Sequence, residues 1–332
     1  MTLAINQMLE PKVTVMASLT ETVIRRQFPY WQAALRQSLP QVQARCVVIT
    51  GCGTSYYLAQ ALACAFNAGG QAAIAVPGAE WARRPGCYLT DMTDVLVIGL
   101  SRSGTTSETV QAITASRACG WRTLAISCEP GSPILDAAHS AICLPTDPDE
   151  GIVMSVSASL MLLAGLRLAG ISLPDGVLSA ASAALAAFDA GAGALLPGRS
   201  HFVYLGAGLN YGIATEGCLK LQEMSLSYSQ SFHPMEYRHG PVSLIDERSL
   251  VVMLYSGDTA REEAALVAEL QAKGARVIGL NGPGDLRIDT ALTDAANALA
   301  CLPCLQLLGE MVALSKGINS ETPRHLTKVV VL

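Results

Sequence analysis

The chain has 332 residues, of which 51% are hydrophobic and 15% are charged. At roughly 150 residues per domain, this length predicts two domains of ordinary size. The composition excludes an intrinsically disordered chain and a coiled-coil rod, because both need more polar residues. The net charge is −5 and no long block of like charges occurs, which argues against a nucleic-acid partner.

Neither the first residues nor the cysteines indicate an exported protein. No basic segment followed by an apolar run opens the sequence, so no secretory signal is expected. The apolar stretch at 152–170 includes serines and an arginine, and it predicts a buried helix rather than a membrane span. Ten cysteines without regular spacing suit a reducing compartment. We therefore expect a cytoplasmic protein with no membrane partner.

The single C-x-x-C motif does not predict a metal site. Cys301 and Cys304 enclose Pro303, and the sequence offers no second Cys or His pair at a spacing that would complete zinc coordination. We expect no metal.

Residues 1–40 predict an N-terminal helical arm with an extended break at Glu10 and Pro11. Beyond the arm, the chain repeats itself with a period of about 155 residues. CVVITGCGTSYYLA matches HFVYLGAGLNYGIA, and DVLVIGLSRSGTTSETV matches SLVVMLYSGDTAREEAA. Two shorter pairs follow, RTLAISCEPGSP with RVIGLNGPGD and AICLP with ALACLP.

The repeated segments predict the fold. Each is a short, nearly continuous apolar run followed by a helical pattern, which is typical of parallel strands buried on both faces. We expect an α/β protein with two tandem doubly wound parallel-sheet subdomains, at 41–190 and 191–332, the second with a C-terminal tail. The Gly/Ala-rich stretch 191–198 is the expected linker. Ligands of such sheets bind at the carboxyl ends of the strands.

The turn after the first predicted strand contains Cys52, Gly53, Thr54 and Ser55. Glycine permits close approach of a ligand, Thr54 and Ser55 can cap the next helix, and the N–H groups at a helix start can bind an anion. An ordinary strand-to-helix turn is the alternative interpretation. The full dinucleotide fingerprint and the P-loop lysine are both missing from this turn.

The turn after the next strand of the sheet carries more hydroxyl groups. Five of the seven residues at 101–107 are Ser or Thr, whereas capping a helix uses one side chain. This density predicts binding of a phosphate monoester, with Arg102 as the positive neighbour. A solvated polar turn is the alternative.

Three patterns in the second half are ambiguous by themselves. Glu216, Lys220 and Glu223 share one helix face and could form an exposed ion-paired ladder. His239, which precedes Gly240 and Pro241, could be a surface histidine. Lys328, near the C-terminus, could belong to a solvated tail.

Taken together, the motifs resemble a known family. They are CGTS at Cys52, SRSGTTSET at Ser101, LGAGLNYGIATEGCLKLQE at Leu205, EYRHGP at Glu236 and PRHLTK at Pro323. The set is similar to the isomerase half of glucosamine-6-phosphate synthase and to stand-alone glucosamine-6-phosphate deaminases of the sugar isomerase (SIS) superfamily. The resemblance covers nearly the whole chain.

The resemblance implies which residues bind the substrate. The phosphate would lie against hydroxyls of the two polar turns, Thr54 would face the sugar hydroxyls, and a closing segment would cover the sugar. The matching positions are Cys52, Gly53, Thr54, Ser55, Ser101, Arg102, Ser103, Thr106, Val153 and Ser155.

It also implies the catalytic residues. Glu223 matches the carboxylate that moves a proton between C1 and C2, with Lys220 and Glu216 beside it. His239 matches a ring-opening histidine from the neighbouring subunit, which implies a homodimer. Lys328 matches the lysine that forms a Schiff base with the open-chain ketose. No metal or organic cofactor is implied.

Three departures from the synthase qualify the match. The sequence lacks a glutaminase domain, Arg102 and Thr105 replace a Gln and a Glu, and Val156 and Ser157 replace a Thr-Lys pair. The expected reaction converts glucosamine 6-phosphate, or a close analogue, into fructose 6-phosphate and ammonia. The alternatives are a ketose/aldose phosphate isomerase, a deglycase, and a non-enzymatic sugar-phosphate-binding regulator.

Overall fold

The computed structural model describes residues 17–91 and 93–330, so the predicted break at Glu10 and Pro11 lies outside the described residues. The described part of the N-terminal arm contains α1 (Leu19–Arg25) and α2 (Phe28–Arg36).

The N-terminal arm is packed into the body of the protein. The Ser18 hydroxyl caps α1 by accepting a hydrogen bond from the Glu21 N–H at 3.0 Å. Ile24 of α1 and Trp31 of α2 are fully buried. The arm therefore belongs to the same core as the sheets.

The first half of the chain forms a five-stranded parallel sheet. Its strands are β1 (Cys46–Gly51), β2 (Ala73–Pro77), β3 (Val95–Ser101), β4 (Arg122–Ser127) and β5 (Ser140–Cys143). Its helices are α3 (Thr54–Ala68), α4 (Gly78–Arg83), α5 (Ser107–Ala118), α6 (Pro133–Ala137), α7 (Val156–Leu168) and α8 (Val177–Ala192). The strand order is β2-β1-β3-β4-β5.

The second half repeats this arrangement. Its strands are β6 (His201–Gly206), β7 (Ser229–Phe232), β8 (Ser249–Leu254), β9 (Arg276–Leu280) and β10 (Leu286–Ile288). Its helices are α9 (Leu209–Ser225), α10 (Pro234–Tyr237), α11 (Ala260–Ala272) and α12 (Asp294–Ser315). The order β7-β6-β8-β9-β10, again all parallel, matches that of the first sheet.

Both sheets are covered on both faces, as the apolar runs predict. In β1, Val47 and Ile49 face a central core that spans the two halves, while Val48 faces a separate outer cluster. In β8, Val252 faces the central core and Val251 an outer cluster. Successive residues of a strand point to opposite faces, so a strand buried on both sides needs a continuous apolar run. The predicted α/β fold is confirmed.

One of the four predicted repeat pairs is wrong. AICLP overlaps β5, but ALACLP lies inside the long helix α12, and the counterpart of β5 is β10. Short apolar runs cannot be assigned to a strand or a buried helix by their pattern alone. Pro303 lies inside α12.

The stretch predicted as the linker is partly helical. α8 continues to Ala192, and a 3₁₀ turn follows at Gly193–Leu195. α8 packs against α12 and β10 of the second half. Gly191 lies so close to Leu286 that a Cβ at this position would come within 2.6 Å of its side chain. The predicted boundary at residue 190 therefore falls inside a helix that joins the two halves.

The first helices of the two halves cross closely. Gly212 of α9 packs over Ala61 of α3, where a Cβ on Gly212 would lie 2.5 Å from the Ala61 backbone nitrogen. Both residues are small, so the helix backbones can approach each other. This crossing brings the start of α3 close to the middle of α9, where Glu216 lies.

Two segments of the described chain are long and apolar enough to cross a membrane by length and composition alone, Val177–Leu195 and Ala295–Ser315. The fold buries 33% of the window tested in the first segment and 83% of that in the second. Core helices of soluble proteins pass the same test. The helix predicted within 152–170 is α7, and it is almost entirely buried, as expected.

Candidate active site

A cavity of about 210 Å³ lies at the carboxyl end of the first sheet, beside the turns that follow β1 and β3. The N-terminal ends of α3 and α5 border it, and helix N-termini attract anions. Ten of the residues singled out from the sequence line this cavity: Cys52, Gly53, Thr54, Ser55, Ser101, Arg102, Ser103, Thr106, Glu223 and Lys328.

Glycine determines the shape of the first turn. Gly53 is the N-cap of α3 with φ 54° and ψ −126°. This conformation is unfavourable for any residue that has a Cβ atom. The expectation that Thr54 and Ser55 can cap the helix is wrong, because among the described residues no side chain caps α3. The Thr54 hydroxyl instead donates to Oε1 of Glu216 at 3.2 Å, which connects the two halves of the chain.

The hydroxyl-rich second turn is organised by its own side chains. Oγ of Ser101 accepts from the Gly104 N–H at 3.1 Å. Oγ of Ser103 accepts from the N–H and the hydroxyl of Thr105 at 3.3 and 3.0 Å. Because both serine oxygens act as acceptors within the turn, their own protons can be donated to a ligand. Gly104 has φ +64°, and a Cβ there would lie 2.0 Å from Oγ of Ser132.

Arg102 is 7% exposed and connects three parts of the chain. Its Nη1 donates to the carbonyl of Gly151 at 2.9 Å, and its Nη2 donates to the carbonyl of Lys328 at 3.1 Å. Burial lowers the pKa of the guanidinium from its ordinary value, because the charged form loses hydration. A buried cation therefore lies next to the hydroxyl-rich turn.

The tail reaches the cavity through Lys328, whose Nζ donates to the carbonyl of Glu150 at 3.3 Å. The Glu150 carboxylate accepts from the N–H groups of Ser155 and Ser157 at 2.6 and 3.0 Å. It also accepts from the Thr146 hydroxyl at 2.9 Å. Glu150 thus anchors the start of α7 with its side chain and Lys328 with its backbone.

Val153 and Ser155 are buried beside the cavity rather than in its lining. Both line a separate small cavity against the N-terminal arm. Their neighbours Ile152 and Met154 line the main cavity. The predicted closing segment therefore contributes to the site through Ile152 and Met154 rather than through Val153 and Ser155.

Glu216, Lys220 and Glu223 form a buried ionic cluster beside the cavity. Nζ of Lys220 is hydrogen-bonded to Oε2 of Glu223 and lies 3.6 Å from Oε1 of Glu216. The side chains of Glu216 and Lys220 are fully buried, while that of Glu223 is 21% exposed and lines the cavity. The exposed-ladder interpretation is therefore wrong.

The electrostatics of this cluster follow from its burial. Burial raises the pKa of Glu216 to about 7, against the attraction of Lys220. Burial alone would lower the pKa of Lys220, but the charges of Glu216 and Glu223 outweigh it and raise that pKa. Oε2 of Glu216 is buried and has no hydrogen-bond partner among the described residues.

His239 is exposed and lies outside the cavity lining of its own chain. It follows α10 and precedes Gly240, which has φ +122°.

The second sheet carries a turn equivalent to the first but with different chemistry. Gly208 is the N-cap of α9 with φ 54° and ψ −125°, and Asn210 takes the place of Ser55. A cavity of about 530 Å³ borders this turn. After β8, the buried carboxylate of Glu263 accepts from the Ser256 N–H at 2.8 Å and from the Thr259 hydroxyl at 2.9 Å. The protein's own carboxylate thus uses these donors.

Several lining residues were not identified from the sequence. They are Leu100, Glu108, Thr109, Ile152, Met154, Leu326, Thr327 and Val330. Glu108 lies inside the quoted hydroxyl-rich motif, and its Oε2 is buried without a hydrogen-bond partner among the described side chains and backbone. A carboxylate in the first turn of a helix is usually explained by its favourable interaction with the helix dipole. The sequence therefore gave no reason to predict that Glu108 lines the cavity.

Within the part of the chain that the structure describes, no group of three or more His, Cys, Asp or Glu residues could hold a metal ion. All ten cysteines are free, and Cys301 and Cys304 are buried in α12.

Comparison with known proteins agrees with the fold and with the motifs. The SIS domain model matches residues 42–169 and 195–285. The isomerizing glutamine–fructose-6-phosphate aminotransferase of Sulfurisphaera tokodaii is 25% identical over 297 residues, which cover 86% of this chain and 49% of that protein. The chain therefore spans about half the length of the curated relatives it matches.

Two solved structures have a similar fold. The glucosamine-6-phosphate deaminase of Thermotoga maritima has a TM-score of 0.83 and 29% identity, covering 95% of this chain and 100% of that one. The tagatose-6-phosphate ketose/aldose isomerase of Escherichia coli has a TM-score of 0.79 and 24% identity, covering 95% and 97% of the two chains.

Proposed function

Because this chain belongs to the SIS domain family, we propose that its cavity binds a phosphorylated amino sugar and catalyses proton transfer between C1 and C2. The proposed reaction converts glucosamine 6-phosphate, or a close analogue, and water into fructose 6-phosphate and ammonia. The similarity to a deaminase over the full length of that structure supports this reaction.

The phosphate is assigned to the two turns of the first sheet. Ser55, Ser101, Ser103 and Thr106 offer hydroxyl donors, and the starts of α3 and α5 add the positive ends of two helix dipoles. Arg102 adds a positive charge. Binding at the phosphate is remote from the reacting carbons, so it can hold the open-chain sugar in register.

Glu223 is assigned as the base that serves both carbons. In the open-chain substrate, C1 is an aldehyde and C2 carries the amine and one hydrogen. Glu223 takes the proton from C2 and returns it to C1, and a second proton passes from the amine nitrogen to the C1 oxygen. The product is the C2 imine of fructose 6-phosphate. Lys220, hydrogen-bonded to Glu223, fixes the orientation of the carboxylate.

Lys328 is assigned to release of the nitrogen. Its neutral amine can add to C2 and displace ammonia, which leaves an imine between Lys328 and the sugar. Water then cleaves this imine and regenerates the free lysine and fructose 6-phosphate. Glu216 accepts a hydrogen bond from Thr54 and so leaves the Thr54 oxygen free to accept one from a sugar hydroxyl.

We also propose a homodimer in which His239 of one copy completes the site of the other and assists ring opening. The exposure of His239 and its place outside its own cavity support a role in a second copy.

The observation that carries the proposal is the presence of Glu223 and Lys328 in one cavity with the hydroxyl-rich turn. A sugar-phosphate-binding regulator has no use for a base and an amine together. A ketose/aldose isomerase uses the same base but releases no amine. A deglycase releases a substituted amine instead of ammonia.

The test measures ammonia and fructose 6-phosphate released from glucosamine 6-phosphate, with aldose phosphates and phosphorylated Amadori compounds as competing substrates. Glu223→Gln should abolish turnover yet retain stabilisation by the substrate in thermal unfolding. Glu262→Gln, an exposed glutamate on α11, is the matched control and should keep full activity. Equal turnover in Glu223→Gln would reject the assigned base.

A further inference from the structure

We propose that Arg102 is a positioning residue that couples phosphate binding to the placement of Lys328, because its guanidinium lies between the hydroxyl-rich turn and the backbone of that lysine. The inference rests on the proposed function for the identity of the ligand. It goes further in assigning Arg102 a second role besides attraction of the phosphate.

Three chain segments meet at Arg102 through a ring of hydrogen bonds. Nη1 of Arg102 holds the carbonyl of Gly151, and Nη2 holds the carbonyl of Lys328. Nζ of Lys328 in turn holds the carbonyl of Glu150, the residue before Gly151. The turn after β3, the segment that precedes α7 and the C-terminal tail are thus connected by three bonds.

Arg102 keeps N–H donors for an anion. Its two side-chain hydrogen bonds among the described residues go to uncharged carbonyls. The carboxylates of Glu150 and Glu223 lie close enough to act on its charge but accept no hydrogen bond from it among the described residues. The other charged groups that line the cavity are Lys328, Glu108 and Glu223, and Glu223 is already paired with Lys220. A guanidinium has five N–H donors, so it can hold two carbonyls and still donate to a phosphate oxygen.

This geometry needs arginine rather than another polar residue. The planar guanidinium has donors directed in several fixed directions, whereas the lysine ammonium is a single point on a flexible stem. Glutamine can donate to one or two acceptors but carries no charge. A lysine at residue 102 therefore retains attraction for phosphate and loses the simultaneous grip on Gly151 and Lys328.

The test separates these two roles by kinetics in the full chain. Arg102→Gln should raise KM and lower kcat for glucosamine 6-phosphate, each by about tenfold to a hundredfold, since bonds to charged groups are lost. Arg102→Lys should restore KM towards the wild-type value and leave kcat at least about tenfold lower. Arg117→Gln is the control, because Arg117 is exposed, donates to the carbonyl of Ala137, and neither residue lines the cavity.

A second readout does not depend on turnover. Trypsin cleavage after Arg324 and Lys328, followed by intact mass, reports how firmly the tail is held. Inorganic phosphate should slow this cleavage in the wild type and in Arg117→Gln but not in Arg102→Gln or Arg102→Lys. Equal protection in all four proteins, or unchanged kcat in both Arg102 variants, would overturn the coupling. If no amine is released from any substrate, the proposed function fails while the proteolysis still decides the role of Arg102.

Discussion

Gly53 and Gly208 have the same backbone conformation, with φ 54° in both and ψ of −126° and −125°. Each glycine ends the turn that follows the first strand of its half and is the N-cap of the next helix. These two helices, α3 and α9, cross each other. The repeat detected in the sequence is therefore a repeat of backbone geometry as well. Only the first copy opens onto the hydroxyl-rich cavity, which allows the two glycines to serve as controls for each other.

Replacing either glycine with alanine should destabilise the protein by about 1–3 kcal/mol, since the conformation is strained for any residue with a Cβ. Apart from the adjoining residues, no atom of the described chain lies closer than 3.9 Å to the added methyl group at Gly53, and none lies within 4 Å at Gly208. Urea unfolding should therefore give similar losses. Only Gly53→Ala should also raise KM, because Gly53 lines the cavity. A comparable rise in KM for Gly208→Ala would contradict this assignment.

The double variant Ser103→Ala with Thr106→Ala should weaken binding of phosphorylated ligands roughly tenfold to a hundredfold, because hydrogen bonds to a charged phosphate are lost. Calorimetric titration with fructose 6-phosphate measures the effect. Ser256→Ala, in the corresponding turn of the second half, should leave this affinity unchanged. Retention of wild-type affinity by the double variant would move the anion site away from this turn.

Glu216 should make stability depend on pH in a direction opposite to that of most carboxylates. Its pKa is about 7 in the folded protein against an ordinary 4.5, so its protonated form contributes stability below about pH 4.5 that is lost as the pH rises through about 7. Glu216→Gln imitates the neutral form and removes this dependence.

Relative to the wild type, Glu216→Gln should therefore gain about 1–3 kcal/mol in free energy of unfolding between about pH 5 and about pH 8. Urea unfolding of both proteins at each pH gives the difference. A constant difference across this range would show that the carboxyl group titrates outside it.

Mixed dimers can test the proposed position of His239 in the neighbouring copy. Glu223→Gln and His239→Ala should each be nearly inactive alone. After unfolding and refolding as an equal mixture, about a quarter of the wild-type activity should return, because each mixed twofold dimer has one site with an intact Glu223 and an intact His239. If both residues act within one chain, mixing restores nothing. Sedimentation of the wild type provides the independent check of the dimer.

The central strands were predictable because a parallel strand covered on both faces needs a continuous apolar run, and β1 and β3 have such runs. The edge strands β2 and β7 were not predicted, and β7, with the sequence SQSF, has no apolar run. The parallel topology also predicted that the ligand-binding turns lie at the carboxyl ends of the strands. The helix α12 was missed because a buried helix is also continuously apolar, so ALACLP resembled a strand. Val153 and Ser155 matched the closing segment, but the sequence does not specify which alternate side chains face the cavity. The burial of Glu216 and Lys220 could not be predicted from the sequence, because it depends on the crossing of α3 and α9 at Gly212.

The hydrogen bonds of Glu263 affect how many anions one chain can bind. Two copies of one module could in principle hold two anions, yet in the second copy an internal carboxylate already accepts from Ser256 and Thr259. These two donors are therefore already used, and the ionised Glu263 carboxylate would repel an incoming phosphoryl group. Under the proposed function, one half recognises the ligand and the other contributes Glu216, Lys220, Glu223 and Lys328, so a titration should saturate at one equivalent per chain.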